Sequence, residues 1–337
     1  MAVYRVTPAG AGDTDGSSWA NAMGEAEFEI SIEGGGDEAV AAGDIYYVQA
    51  GTYTLDSDYD SSVQDGTAIL PISIIGVKAA TTNETPTYAD WPDVGSNDRP
   101  TFDTGATQTI LLGDYYKIFN CIFTGSFADR IVQTGAYCVT YNVKCTNTTA
   151  TAHKYAYYTG AYNQTIACEM VSTNGRGMLP GSGSLVAYSY FHDSGQAFIT
   201  QNNLTVMHCV FHDMIYYVVN LSTSYNNSFI NNTVYNCPAA FYGTTASSHV
   251  FINNIIDTVS GIAFEWTTQT DINFFWKNHK GNNVNDMWSL VAETMPHMDP
   301  EVTSGDPKFT TPGSNFSLQS DSPCIDAGLS LTFGVSE

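Results

Sequence analysis

Two His-Asp pairs stand twenty residues apart in the chain. His192-Asp193 and His212-Asp213 each follow a phenylalanine, so the phrase Phe-His-Asp occurs twice. Two carboxylates held close together could bind calcium or share a proton. Two histidines held close together could bind a transition metal. The alternative is that each aspartate ends a strand and caps its own turn, so that the pairs belong to a repeating scaffold.

A repeat around these pairs indicates which elements position them. Seven eight-residue windows align without gaps, starting at residues 118, 140, 166, 186, 206, 229 and 251. Steps of 20 to 26 residues with strand-like patterning are typical of a solenoid. The spacing predicts a parallel β-helix in which each window is one strand and each repeat is one coil. In this alignment His192 stacks on His212, and Asp193 stacks on Asp213.

Positions 2, 4 and 6 of each window share one face of a strand, and we expect this face to point inward. Positions 2 and 6 are almost entirely apolar, and position 4 holds mostly small or amide side chains. Asn232 and Asn254 at position 4 are expected to form an internal amide ladder. Glu169 also falls at position 4, where it marks either a one-residue register slip or a buried acid.

An apolar outer stripe is expected at the odd positions. It consists of Val186, Tyr190, Val206, Val210, Phe229, Phe251 and Ile255. Such a stripe indicates either a partner surface or a loop folded over it. Association of three copies along the long axis is one hypothesis, and a covering loop is the other.

The charge and cysteine content restrict the class of protein. The 337 residues include 34 Asp and Glu against 11 Lys and Arg, for a formal net charge of −23. This balance disfavours nucleic acid and anionic membrane surfaces as partners. No basic segment followed by an apolar segment opens the chain, so we expect no signal peptide. Seven cysteines without paired spacing predict buried free thiols and a reducing compartment of synthesis.

Both ends of the chain carry patterns of their own. Trp19, Met23, Ala26 and Ile30 lie at helical spacing after the possible cap residues Ser17 and Ser18, which predicts a short helix. "GDIYYVQAGTY" (43–53) predicts a first coil and "LPISIIGV" (70–77) the next. "DPKFTTPGSNFSLQSDSPCIDAG" (306–328) has the composition of a closing segment, and the aromatic segment 266–290 is expected to leave the coil pattern.

These end segments resemble those of right-handed parallel β-helix proteins of the pectate-lyase-like superfamily, over residues 12–328. The resemblance implies one all-β domain over 1–337, with a cap at about 1–43. Coils then span 44–265, and the last coils with the closing segment span 266–337. Such folds host lyases, glycosidases, epimerases, viral tailspikes and inert shafts, so the fold alone does not decide the activity.

The catalytic motifs of enzymes in this superfamily can be sought directly in the sequence. The Asn-Thr-Asp, Asp-Asp, His-Gly and Arg-x-Lys strings of polygalacturonase-like enzymes do not occur. The resemblance implies that a lyase would use a Lys or Arg base, often with calcium. The cationic candidates in the middle of the chain are Arg130, Lys144, Lys154 and Arg176. No motif assigns a catalytic residue, a resident metal or a cofactor. A calcium ion would have to bind at a site that no recognised motif marks.

We therefore expect a structural or adhesive protein of a virus particle, such as a decoration, spike or tail-fibre component. It would be made in the host cytoplasm, form a homotrimer, contact other virion proteins and bind a cell-surface glycan. Tyrosine, with 21 copies, suits stacking on sugar rings. The candidate ligand contacts are His192, Asp193, His212, Asp213, Arg176 and Tyr188. The alternative is a secreted, extracellular polysaccharide lyase or glycosidase on the same fold.

Overall fold

Three parallel β-sheets run side by side along the chain, and successive coils contribute one short strand to each. The computed structural model describes residues 1–55, 58–126, 129–149, 154–222, 224–244, 248–266, 274–276, 278–281, 288–290 and 303–328. Neighbouring coils pair in register, so that Thr140 lies between Ile118 of the coil before and Thr165 of the coil after. The predicted parallel β-helix is confirmed.

The sheets are numbered here in the order in which the chain enters them. Sheet 1 contains Val3–Val6, Ile45–Gln49, Ile72–Val77, Tyr116–Phe119, Val139–Tyr141, Gln164–Ile166, Leu185–Ala187, Thr205–Met207, Ser228–Ile230, Val250–Ile252 and Phe274–Trp276. Sheet 2 contains Gly51–Thr54, Pro100–Asp103, Ile122–Gly125, Lys144–Asn147, Glu169–Ser172, Tyr190–His192, Val210–His212, Thr233–Tyr235, Ile255–Asp257, His279–Lys280 and Thr303–Ser304. Sheet 3 contains Tyr59–Ser61, Ile110–Leu112, Arg130–Thr134, Tyr155–Thr159, Arg176–Leu179, Gln196–Ile199, Tyr217–Asn220, Ala239–Gly243, Phe264–Trp266 and Trp288–Leu290.

A residue with left-handed backbone geometry separates sheet 1 from sheet 2 in seven successive coils. These corner residues have φ between 51° and 60°: Asn120, Asn142, Ala167, Tyr188, His208, Asn231 and Asn253. The corner turns the chain between two short strands, so the alternation of inward and outward side chains restarts after it. The prediction of one strand per window is therefore wrong, because each window contains parts of two.

The corner also changes which window positions face inward. Outside the slipped window at 166, positions 4 and 6 are buried, and position 1 takes the inward place that was expected for position 2. Four members of the predicted outer stripe consequently line the core: Val186, Val206, Phe229 and Phe251. The other three remain outside and half-buried: Tyr190, Val210 and Ile255. The stripe on which the trimer hypothesis rested is thus much smaller than expected.

Glu169 faces outward because the chain slips by one residue in its coil. It pairs with Lys144 and Tyr190 on sheet 2, both of which occupy position 5. Cys168 and Met170 then take the buried positions 4 and 6. The register slip is confirmed, and the interpretation of Glu169 as an acid inside the coil is wrong.

The interior combines stacked aromatic rings with hydrogen-bonded amides. The rings of Phe191 and Phe211 stack with centroids 5.2 Å apart. The predicted amide ladder forms, because Asn232 Nδ2 donates to Asn254 Oδ1 at 3.0 Å. It continues to the next coil, where Asn254 Nδ2 donates to Asn278 Oδ1 at 2.8 Å. Each inward amide is thereby satisfied by the coil beside it, which makes polar side chains tolerable in the core.

A short α-helix, Glu25–Ile32, covers the N-terminal end of the coil. It begins after Gly24, whose backbone N–H donates to Glu27 Oε2 at 3.1 Å. Phe28 and Ile32 are its buried apolar side chains. The predicted cap helix is present, but its start and its buried face differ from the sequence-based expectation.

The difference arises because Met23 is held in extended backbone by a bridge to Val6. The helix therefore cannot begin near the two serines that the sequence suggested as caps. Trp19 lies instead in a separate 3₁₀ helix, Trp19–Asn21. Ala26 is exposed, and the side chain of Ile30 is 51% exposed, so neither faces the core.

The ends of the solenoid extend beyond the predicted coils. Val3–Val6 pairs with Ile45–Gln49, so sheet 1 starts before the coil that the sequence placed first. The segment 266–290 does not leave the coil pattern at its described strands, which extend all three sheets. The rest of that segment lies outside the described residues. The closing segment forms an antiparallel hairpin of Phe309–Thr311 and Asn315–Leu318.

One connection lies outside the coil. Residues 78–99 join Ile72–Val77 of sheet 1 to Pro100–Asp103 of sheet 2 and contain a 3₁₀ helix, Tyr88–Asp90. Among the described residues, no helix has the length and apolar character needed to span a membrane.

Candidate functional site

The two His-Asp pairs lie one coil apart at the end of sheet 2. His192 and His212 are register partners, and their rings stack with centroids 5.2 Å apart and planes 5° apart. Each Nδ1 contacts the adjacent aspartate, at 2.7 Å for Asp193 and 2.5 Å for Asp213. Both aspartates have left-handed backbone, with φ of 47° and 53°. The structure thus brings the pairs together and also uses the aspartates to turn the chain.

His192 belongs to a line of alternating charges that crosses three coils. Its Nε2 lies 3.1 Å from Glu169 Oε1, and Lys144 Nζ donates to the same oxygen at 2.7 Å. Burial raises the pKa of Glu169, but the hydrogen bonds from His192 and Lys144 outweigh it and lower the pKa to about 2. Burial likewise opposes protonation of His192, yet Glu169 and Asp193 raise its pKa above the ordinary value. Sequence reasoning found His192 but not its contact with Glu169, because the register slip hid the outward position of Glu169.

His212 has a different environment from its repeat partner. Its side chain is 6% exposed, and Phe316 of the closing hairpin packs 5.5 Å from its ring. Its Nε2 is buried without a hydrogen-bond partner within the described part of the chain. Asp213 Oδ1 accepts a hydrogen bond from Asn236 Nδ2 of the next coil. No group of three or more His, Cys, Asp or Glu side chains among the described residues is placed to hold a metal ion.

Tyr188 lies at the opposite edge of sheet 2 from the His-Asp pairs. It occupies the left-handed corner between sheets 1 and 2, and its side chain is 62% exposed. Its ring stacks on His208 with centroids 4.9 Å apart and planes 2° apart. The structure therefore does not bring Tyr188 into the site formed by the histidines.

Arg176 projects from the outer face of sheet 3, beyond the turn that follows sheet 2. Its Nε donates to Gln196 Oε1 at 2.9 Å, and its Nη1 donates to the Tyr155 hydroxyl at 2.9 Å. Its guanidinium carbon lies 5.5 Å from the centre of the Tyr155 ring. Arg130 repeats this contact in the coil before, 5.4 Å from the centre of the Tyr158 ring. Register places Tyr155 between the two arginines.

We call the surface of Arg130, Tyr155, Tyr158 and Arg176 the arginine–tyrosine face. All four side chains are half-buried, so they are fixed in position and still accessible. Sequence reasoning noted the arginines and the abundance of tyrosine separately. It did not join them, because only the strand register of three successive coils makes them neighbours.

The coils that carry this face differ in charge from the rest of the molecule. Residues 130–192 contain four of the 11 lysines and arginines but only one of the 34 acidic residues. The acidic residue is Glu169, which is already paired with Lys144. A cation-rich band therefore lies within a strongly negative protein, with Asp129 at its border 3.6 Å from Arg130 Nε and 3.5 Å from Lys154 Nζ.

Six of the seven cysteines are buried, and all seven are free thiols, as the sequence predicted. Burial raises the pKa of Cys121 and of Cys209 to about 12. A thiol with so high a pKa forms almost no thiolate at neutral pH and is a poor nucleophile. The buried cysteines therefore act as small core side chains.

No protein-family model and no curated protein sequence matches the chain. Solved structures do match it in shape. A pectate lyase, Pel9A, aligns with a TM-score of 0.59 at 15% identity, over 98% of this chain and 92% of that one. The fold is that of the pectate-lyase-like right-handed parallel β-helices.

Two further β-helices of similar extent support the same assignment. A rhamnogalacturonan lyase aligns with a TM-score of 0.54 at 12% identity, over 95% of this chain and 97% of that one. An alginate lyase from Paenibacillus sp. str. FPU-7 aligns with a TM-score of 0.53 at 11% identity, over 90% and 98%. At these identities the likeness establishes the β-helix, which is a fold shared by proteins that act on polysaccharides, and leaves the activity open.

Proposed function

We propose that this β-helix binds an acidic glycan on its arginine–tyrosine face. The observation that carries the proposal is the placement of Arg130 and Arg176 over two tyrosine rings on one sheet. A guanidinium matches a carboxylate with two parallel hydrogen bonds, and a tyrosine ring packs against the apolar face of a sugar. A chain of uronic acid residues presents both groups in alternation.

The face is organised before any ligand arrives. Tyr155 and Gln196 hold two nitrogen atoms of Arg176 at 2.9 Å each, and neighbouring strands fix the backbone on both sides. Fixing side chains in advance reduces the entropy that binding must otherwise lose. The guanidinium group of Arg176 is thereby held beside the Tyr155 ring on the outer face of sheet 3.

The His-Asp pairs border this face and are proposed as secondary contacts. Asp193 lies in the turn three residues before Gln196, and its side chain is 67% exposed. His192, His212 and Asp213 lie beside it at the end of sheet 2. The negative charges of Asp193 and Asp213 would restrict where an acidic ligand can lie, and so would contribute to specificity more than to affinity.

The biological setting we propose is an adhesive or structural role in a virus particle, as a decoration, spike or tail-fibre component. Buried free thiols fit assembly in the reducing cytoplasm of a host, and a net charge of −23 favours solubility at high concentration. A homotrimer that contacts other virion proteins is part of this proposal. Light scattering of the purified chain tests it, and a monomer at micromolar concentration would contradict it.

A polysaccharide lyase is the second candidate, and one contact favours it. β-Elimination needs a base next to the sugar carbon and a cation that holds the carboxylate. Tyr155 and Arg176 supply such a pair, since the Tyr155 hydroxyl accepts a hydrogen bond from Arg176 at 2.9 Å. Incubation with a panel of uronate polysaccharides distinguishes the candidates. Ultraviolet-absorbing unsaturated products would identify a lyase, and binding without products would support adhesion.

Replacement of Arg176 tests the proposed site. Charge-assisted hydrogen bonds contribute about 1.5–3 kcal/mol each, so Arg176→Ala should weaken acidic-glycan binding roughly 10- to 100-fold in calorimetry. Arg176→Lys should recover part of the loss, because lysine keeps the positive charge but lacks the two parallel N–H donors of a guanidinium.

Lys117→Ala is the matched control, since it removes one positive charge from the outer face of sheet 1. Its affinity should stay close to that of the unmodified chain. Equal affinities for the Arg176→Ala and Lys117→Ala variants would show that the glycan, if bound, lies elsewhere.

A further inference from the structure

A pocket lies on the outer face of sheet 1, away from the arginine–tyrosine face. The connection of residues 78–99 folds over this sheet and encloses a cavity of about 480 Å³. Its walls include Tyr88, Trp91, Asp93, Phe119, Tyr141 and Ile166. This volume lies within the ~300–1,000 Å³ of small-ligand sites.

Buried hydrogen bonds hold the connection in place. Arg99 is 3% exposed, and its Nη1 donates to the Asn142 carbonyl oxygen at 2.8 Å and to Asn142 Oδ1 at 3.1 Å. The backbone N–H of Gly95 donates to the same side-chain oxygen at 3.2 Å. Asn142 Nδ2 in turn donates to Asn120 Oδ1 at 2.9 Å. The pocket is thus formed in advance, and Asn120 at its floor has its amide oxygen already engaged.

Aromatic rings form a continuous series along the pocket. The ring centroids are 4.7 Å apart for Tyr88 and Trp91, 6.0 Å for Trp91 and Phe119, and 6.2 Å for Phe119 and Tyr141. Rings of this kind pack against the C–H face of a pyranose, and a tyrosine hydroxyl adds a hydrogen bond at the edge.

The charges of the pocket select among sugars. The Asp93 carboxylate is exposed at the rim, and no lysine or arginine of the described residues lines the cavity. A carboxylate has two acceptor oxygens that suit adjacent hydroxyl groups, and it repels another carboxylate. We propose that this pocket binds a neutral pyranose, as a separate saccharide site from the acidic-glycan face.

The proposal is tested on the full chain with neutral mono- and disaccharides, using ligand-observed NMR and calorimetry. Glucose, galactose, N-acetylglucosamine, cellobiose and lactose serve as probes, with galacturonic acid and choline as charged comparisons. We expect saturable binding of at least one neutral sugar. Trp91→Ala should weaken that binding at least 10-fold, and Asp93→Asn should weaken it several-fold.

Two further variants separate loss of the site from loss of the fold. Val94→Trp adds bulk at an exposed wall residue and should block binding without disturbing the core. Tyr225→Ala removes an exposed ring elsewhere and should leave binding unchanged. Arg176→Ala should also leave it unchanged, so failure here is distinguishable from failure of the acidic-glycan proposal. Absence of saturable sugar binding, preference for choline or galacturonic acid, or sugar binding that survives both Trp91→Ala and Val94→Trp would overturn the proposal.

Discussion

At the residue scale, the same dipeptide acquires two kinds of chemistry from its neighbours. His192 contacts an acid on each side, Glu169 and Asp193. His212 has an acid on one side only, and the closing hairpin packs over it. The local sequence could predict that the pairs stack, because both follow the same repeat. It could not predict that His192 alone meets Glu169, because this depends on a register slip in a third coil.

The proton equilibrium of His192 provides a direct test of this network. Its folded-state pKa is raised, so its contribution to stability is complete below about pH 6.5 and is lost as the pH rises through the folded value. Glu169 acts in the opposite direction: its contribution is present above about pH 4.3 and is lost as the pH falls through about 2. Thermal melts across the two ranges should show both losses.

Glu169→Gln should remove the effect of Glu169 and reduce that of His192, which keeps its contact with Asp193. The His192 pKa should fall, and the melting temperature should become less dependent on pH in both ranges. NMR titration of the His192 side chain measures the first effect, and Asp213→Asn is the control that should leave His192 nearly unchanged. An unchanged His192 pKa in Glu169→Gln would mean that the hydrogen bond at 3.1 Å does not persist in solution.

At the element scale, the corner between sheets 1 and 2 explains what the window pattern could and could not predict. Four of the seven corner residues are asparagine, the residue that tolerates left-handed backbone best after glycine. That signal was present in the sequence, but two short strands joined by one residue look like a single strand of eight. The amide ladder was predictable, because position 4 lies beyond the corner and its alternation with position 6 is undisturbed.

Ala167 occupies the left-handed corner without the local hydrogen bonds that asparagine can make. Left-handed backbone costs about 1–2 kcal/mol for such a residue, and glycine avoids most of that cost at some loss of chain entropy. Ala167→Gly should therefore stabilise the protein, by up to about 1 kcal/mol in denaturant unfolding. Ala187→Gly, at a buried strand position of the next coil, should destabilise it. Destabilisation by both substitutions would contradict the assigned corner geometry.

Removal of one asparagine from the amide ladder should destabilise the protein. Asn254 Oδ1 accepts from Asn232 Nδ2 and from the Asn232 backbone N–H, both at 3.0 Å. Asn254→Leu leaves the Asn232 backbone N–H and one of the two amide N–H groups of Asn232 without this acceptor, while the other amide N–H still donates to Val206 O; each unpaired group costs about 1–3 kcal/mol. We expect a loss of about 2–4 kcal/mol in the free energy of unfolding. Ser228→Ala, on the outer face of sheet 1, should change it by less than about 0.5 kcal/mol.

At the scale of the whole molecule, periodicity determines the scaffold and charge distribution determines the site. Repeat spacing and the two ends were enough to predict a right-handed parallel β-helix. The arginine–tyrosine face was not predictable, because Arg130, Tyr155 and Arg176 come from three coils and meet only through register. The pocket beneath residues 78–99 was not predictable either, since that connection has no periodic pattern.

The cation-rich band on a negative protein leads to a specific salt dependence. At physiological ionic strength, charges more than about 8 Å apart are largely screened, so contacts at the face outweigh the repulsion from distant acidic residues. Binding of an acidic glycan should therefore weaken as salt increases. The dependence should become shallower when the two arginines are removed.

The central claim is that carboxylate groups on a glycan are recognised by Arg130 and Arg176. The most direct measurement is calorimetry with a short oligouronide and with its methyl-esterified form, which has the same backbone without the charges. We expect the unmodified chain to bind the acid form at least 10-fold more tightly, and the Arg130→Ala, Arg176→Ala double variant to lose that preference. Equal affinity for the two forms, or an unchanged preference in the double variant, would contradict the account.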